Sequence, residues 1–199
     1  RWLPARRVLL AVPVLLGGLT VRRNLDWRDE VTLWQGATER WPKSRDAWQG
    51  YGDALRFARE WGPAERAYRT TYALDPSDVD PLVNIGNGRG QRADLVGARE
   101  AFSEALRAGH GHCAALNGLA GVDFLEGRLA DATGRYEGTL RSCPDDPIAH
   151  FRLGQIYADV GEQDRAIFHL RAYLLADPWG AQRPAARERL RALGAPPEG

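Results

Sequence analysis

Lysine is nearly missing from this sequence: Lys43 is the only one among 27 basic residues, so arginine carries the positive surface charge. Both side chains solvate a surface, and we read the bias as compositional. Cysteine is scarce too, with only Cys113 and Cys143 and no paired CxxC, which argues against a zinc module or a thiol–disulfide redox motif. The one cluster of metal-ligand types, His110-x-His112-Cys113, lacks four ligands at suitable spacing. No GxSxG elbow occurs, and neither cysteine has a histidine–acid pair implied by the sequence, so nucleophilic catalysis is not expected. The string Gly86-Asn87-Gly88-Arg89-Gly90 completes no phosphate-binding fingerprint and follows no strand pattern. We therefore expect neither catalytic residues nor a cofactor, and the chain does not read as an enzyme.

Strong charge of either sign is also lacking. The formal net charge is +1, but residues 1–23 hold five Arg and no acid, leaving 22 basic against 26 acidic residues, or −4, for the remainder. A mildly acidic body has no electrostatic footprint for nucleic acid. Val8 to Val21 is apolar and uncharged, yet shorter than the roughly 20 residues a membrane span normally needs. Arg6-Arg7 and Arg22-Arg23 bracket it, and their stems can extend it by snorkelling. The run reads first as a membrane helix, with a buried or interfacial helix and a signal peptide as alternatives. No small-x-small cleavage site follows it. The start at Arg1 suggests a piece of a longer protein.

What is present is a period. Pro42, Pro76, Pro144 and Pro178 fall on one 34-residue lattice, with His110 in the vacant slot. Taking these as position 32, repeats begin at Arg45, Val79, Cys113 and Pro147. Position 8 is then Gly52, Gly86, Ala120 and Gly154, and position 20 is Ala64, Ala98, Ala132 and Ala166, small residues where two helices must approach. Position 24 is large: Tyr68, Phe102, Tyr136 and Leu170. Repeat two departs most, because its first helix reads NIGNGRGQ and interior glycines cost about 0.5–1 kcal/mol each relative to alanine.

On these residues, 45–178 resembles the tetratricopeptide-repeat (TPR) family, whose period is 34. The resemblance implies an all-α solenoid of four helical hairpins and a scaffold function in protein–protein interaction. Stacked hairpins need capped ends. Arg183 to Leu193 is an amphipathic segment stopped by Gly194 and Pro196, suited to the C-terminal cap. Asp29 to Trp41 falls on the lattice as the second helix of an earlier hairpin, with Trp34 at position 24 and Ala37 at position 27. The expected segments are thus 1–23 apolar helix, 24–44 junction and partial repeat, 45–178 repeats, and 179–199 cap and tail.

In such a fold the first helix of each repeat lines the inner groove. Its expected ligand-facing residues are Gln49, Asp53, Arg56, Asn84, Asn87, Asn117, Phe124, Phe151, Arg152 and Gln155. Any one of them is otherwise an ordinary solvated side chain. Amides can serve both sides of a peptide backbone, Phe124 and Phe151 offer apolar contact, and Gly118 and Gly121 leave room for approach. The family's carboxylate clamp uses lysines that this chain lacks. The expected partner is an extended polypeptide segment of another protein, with the membrane engaged through residues 8–21. Cys113 opens the first helix of repeat three and Cys143 ends its antiparallel second helix, so a disulfide between them is open to test.

The apolar run followed by RRNLDWRDEVTLWQGATERWP is similar to the end of the membrane region in transmembrane-and-TPR O-mannosyltransferase-like proteins, through Asn24, Trp27, Asp29, Leu33, Trp34 and Pro42. That resemblance implies a non-catalytic, acceptor-presenting tail of a membrane glycosyltransferase. Its repeats would lie on the periplasmic or other extracytoplasmic side, although the arginines on both flanks leave the cytoplasmic side open.

Overall fold

Amphipathic spacing and well-formed helix ends give ten α-helices and no strand among the described residues, which in this computed structural model are 30–109 and 111–196. The helices are α1 (Glu30–Arg40), α2 (Arg45–Phe57), α3 (Trp61–Leu74), α4 (Asp80–Gln91), α5 (Leu95–Ala108), α6 (Cys113–Leu125), α7 (Leu129–Ser142), α8 (Pro147–Asp159), α9 (Gln163–Ala176) and α10 (Arg183–Ala192). The second helices of the four hairpins start at Trp61, Leu95, Leu129 and Gln163, each 34 residues after the last. The apolar run 8–21 and the junction residues Asn24, Trp27 and Asp29 lie outside the described residues, as does His110. No helix among the described residues is long and apolar enough to cross a membrane.

The turns inside the hairpins explain the register. Arg59, Ala93, Gly127 and Gly161 all have φ between 60° and 84°, at the same repeat position. Each follows a helix C-cap, and the next residue's N–H returns to a carbonyl five residues earlier: Glu60 to Leu55, Asp94 to Arg89, Arg128 to Asp123 and Glu162 to Tyr157, at 2.8–3.0 Å. This is the Schellman closure, which consumes carbonyls the helix end leaves unpaired. Helix starts are satisfied in kind. Ser44, Asp94 and Asp146 accept from the backbone N–H of Ala47, Gly97 and Ala149.

The chain divides into two compact units, residues 1–75 and 76–199. In the first, the Trp34 ring of α1 occupies the space a Cβ on Gly50 would need, with ring atoms 2.5–2.6 Å from that point. Gly52 gives the same clearance to Tyr68 of α3. In the second unit, Ala98, Ala132 and Ala166 are fully buried, as expected for position 20, and Phe102, Tyr136 and Leu170 fill their hairpins. The α10 cap buries Ala186 and Leu190 completely against Leu170, Tyr173 and Leu174, and Gly194 (φ 72°) ends it.

Two buried polar clusters set this second unit apart. Asp123 is almost fully buried and accepts from Arg99, Arg128 and Arg135 at 2.9, 2.5 and 2.5 Å. Burial alone would raise its pKa, but the three guanidinium bonds outweigh it and hold the carboxyl below its usual value. Between α8 and α9, His150 Nε2 lies 2.9 Å from the Pro144 carbonyl and His150 Nδ1 lies 2.9 Å from His169 Nδ1. A carbonyl only accepts, so Nε2 of a neutral His150 carries the hydrogen, and His169 Nδ1–H donates to the lone pair on His150 Nδ1. Burial pushes His169 down to about 4, helped by His150 and Arg165 and opposed by Glu137, while Tyr157 stacks on its ring.

That depression predicts an acid-sensitive fold. The unfolded chain, whose histidine titrates near 6.5, binds the extra proton between pH 6.5 and 4, so stability is fully present above 6.5 and falls through that window. The loss should not exceed about 3.5 kcal/mol. Because the Asp123 carboxyl is held below the ordinary range, its contribution disappears only at lower pH. Urea midpoints at pH 7 and pH 5 should differ in the parent and converge in His169→Gln. Equal slopes in the two proteins would sink the assignment.

Candidate functional site

In the first unit the three expected groove residues are tied into one network, although Gln49 Oε1 is buried without a hydrogen-bond partner. Gln49 Nε2 donates to Asp53 Oδ2 (3.2 Å), the Tyr68 hydroxyl donates to Asp53 Oδ1 (2.8 Å), and Arg56 Nε donates to the Tyr68 oxygen (3.2 Å). Arg56 also lies over Phe57, 4.4 Å from the ring centroid. Burial, followed by Asp53, pushes the Tyr68 hydroxyl well above its usual pKa, so it stays a donor. These groups bind the α2–α3 hairpin together, and a ligand would have to break that network.

The second unit separates its seven candidates. Asn84 is half-buried and Asn87 exposed on α4, and both amides stay free among the described residues. Asn117 is buried and donates to Asp146 Oδ1 (2.8 Å), the same oxygen that caps α8, so it stitches α6 to α8. The gap expected at Gly118 is closed as well. Phe102 ring atoms occupy the place where a Gly118 Cβ would sit, so that glycine admits an aromatic neighbour rather than a ligand backbone.

Phe124, Phe151, Arg152 and Gln155 come together. Arg152 lies over the Phe124 ring, 5.4 Å from its centroid, and donates to Gln155 Oε1 at 3.0 Å. Ile148, Phe151, Arg152 and Gln155 fall at i, i+3, i+4 and i+7 on one face of α8. This face forms a wall of a cleft of about 330 Å³ closed by Tyr173 and Asp177 of the α9 end and by Ala181 and Gln182 of the following loop. Phe151 and Tyr173 make its floor, with ring centroids 5.1 Å apart.

The cleft is held from behind. The Tyr173 hydroxyl accepts from the Gln182 N–H (3.1 Å), and Arg183 Nη1 donates to the carbonyls of Leu174 (2.5 Å) and Asp177 (3.0 Å). Gly180 lets the loop pass, since a Cβ there would collide with the Tyr173 hydroxyl and the Asp177 carboxylate. Sequence reasoning missed Ile148, although it lies on the same first helix as Phe151, Arg152 and Gln155. Tyr173, Asp177 and Gln182 were invisible to it because a rule confined to first helices omits the closing wall.

Cys113 and Cys143 are paired, with Cα atoms 6.4 Å apart, inside the span a disulfide takes. His112 Nε2 lies 3.1 Å from Asp80 Oδ1. Among the described residues no group of three or more His, Cys, Asp or Glu is placed to hold a metal ion.

No protein-family model and no curated protein sequence matches this chain. Solved structures do. A chain of the APC/C hetero-tetramer Cut9–Hcn1 superposes with a TM-score of 0.68 at 20% identity, over 80% of this chain and 32% of that one. YrrB, described as a TPR protein with an unusual peptide-binding site, gives 0.55 at 21% identity, over 80% and 82%. A thermophilic TPR protein of Thermus thermophilus gives 0.64 at 17% identity, over 88% and 94%. The chain spans about a third of the Cut9–Hcn1 chain it matches. None of these likenesses supports the O-mannosyltransferase-like origin. The all-helical, 34-residue hairpin architecture and these neighbours make the fold that of the tetratricopeptide-repeat proteins.

Proposed function

We propose that this chain is a non-catalytic scaffold that holds an extended polypeptide segment of a partner against the first helices of repeats two to four. The observation that carries the reading is the α8 stripe, whose Ile148, Phe151, Arg152 and Gln155 line a preorganised cleft. Asn84 and Asn87 add unpaired amides able to donate to and accept from a backbone of any sequence. Preorganised walls lower the ordering cost of binding. The structural neighbours agree with the class, YrrB through a peptide-binding site and Cut9 through its assembly with Hcn1.

The Cys113–Cys143 pair favours an oxidising, extracytoplasmic setting for the module. The apolar run 8–21 supplies a means of holding it at a membrane. A peptide array probed with the full chain in detergent tests the central claim. Binding should fall at least about fivefold in the combined variant Asn84→Ala, Asn87→Ala, Gln155→Ala, a loss of about 1 kcal/mol. These side chains support no core, so the variant should melt like the parent. Undiminished binding would move the partner to another face.

A further inference from the structure

We propose that the cleft between α8, the end of α9 and the loop before α10 is an anchor subsite for one bulky apolar side chain with a neighbouring carboxylate. The inference rests on the polypeptide-binding reading and adds the chemistry of the segment recognised. Three observations select that chemistry.

The first is size and lining. A space of about 330 Å³ is at the small end of ligand sites, too small for a large cofactor but suited to one large side chain and the backbone that carries it. Its floor is aromatic, and Ile148 at the mouth is 54% exposed, unusual for an isoleucine with an apolar cleft beside it. Filling the cleft would cover that Ile148 surface, above a floor of Phe151 and Tyr173 that is already buried.

The second is the charge. Arg152 makes no ion pair among the described residues. The Phe124 ring and the Gln155 carbonyl fix its plane, and only Nη1 is used. A guanidinium has five N–H donors, so the remaining edge can take a carboxylate in bidentate fashion. An arginine already stacked and oriented loses little freedom on doing so.

The third is asymmetry. Asp177 stands on the opposite wall, also without an ion pair among the described residues, and repels a second carboxylate. One acidic residue is therefore accepted, on the α8 side, and the opposite end favours neutral or donor groups. A doubly acidic segment is disfavoured.

The test titrates the full chain in detergent with short capped peptides bearing, in a Gly/Ser background, the central pair Phe-Glu, Phe-Gln, Ala-Glu or Phe-Lys. Phe-Glu should bind about tenfold more tightly than Phe-Gln and than Ala-Glu, with Phe-Lys weakest, and the Glu preference should shrink with salt. Arg152→Gln should erase the preference for Glu over Gln while keeping that for Phe over Ala, and Arg152→Lys should restore it partly. Ile148→Ser should weaken the Phe preference alone. Equal affinity for Phe-Glu and Phe-Gln in the parent overturns the subsite. If peptides still bind and the Asn84/Asn87/Gln155 variant still loses them, the polypeptide-binding reading survives that result. If no peptide of any sequence binds, both fall.

Discussion

Reducing the Cys113–Cys143 pair, or replacing both cysteines by serine, lowers the melting temperature by about 10 °C. The pair closes a loop with a sequence separation of 30, which in the chain-entropy model stabilises the fold by roughly 3–4 kcal/mol. For a chain of this size, that free energy corresponds to a shift of this order. Cys113 is the first residue of α6 and Cys143 caps α7, so the bond ties both open ends of one hairpin. Its place in the repeat array adds weight. The junction before α6 is the one lattice slot where His110 replaces proline, and a proline there would have restricted the unfolded chain. The disulfide begins three residues later and limits the same ensemble by another means. Thermal melts with and without reductant, compared with the double serine variant, check this. Coincident melts for all three, or two titratable thiols in the natively isolated chain, would refute it.

The repeat geometry was legible because it is written in residue volume. Gly52, Gly86, Ala120 and Gly154 sit at equal spacing because each faces a large residue of its own hairpin, and the helices begin where the proline lattice puts them. The cap was legible because Ala186 and Leu190 lie on one face of a charged helix. Groove contacts were less so. Position in the repeat says which way a side chain starts out, but not which neighbour reaches it first. Asp53 was claimed by Tyr68 and Asn117 by Asp146, both competitors from elements distant in sequence. Asp123 and the His150–His169 pair had no sequence signature, because their partners come from several helices and obey no period.

The position-24 aromatic reaches further than its own hairpin, which gives Gly118 a role in stability and predicts opposite signs for one substitution at different glycines. Phe102 of α5 lies against Gly86 of α4 on one side and Gly118 of α6 on the other, with ring atoms filling the space where each Cβ would be. Trp34 does the same to Gly50 in the first unit. The Phe102 ring is buried between elements that cannot both retreat, so an added methyl forces it off its rotamer or pushes helices apart, at about 1–3 kcal/mol. In an open helix the same change gains about 0.5–1 kcal/mol. Gly134 of α7, with nothing within 4 Å of its Cβ position, provides the comparison. Gly134→Ala should therefore stabilise, whereas Gly118→Ala should destabilise by about 1–2 kcal/mol net. The cause can be isolated by trimming the ring. In a Phe102→Leu background, itself less stable, Gly118→Ala should become neutral or stabilising, a coupling between residues in contact. Urea denaturation of the parent and the four variants measures it. If Gly118→Ala stabilises the parent as much as Gly134→Ala does, the ring is not wedged between the two helices, and the soft sequence of α4 would need another explanation.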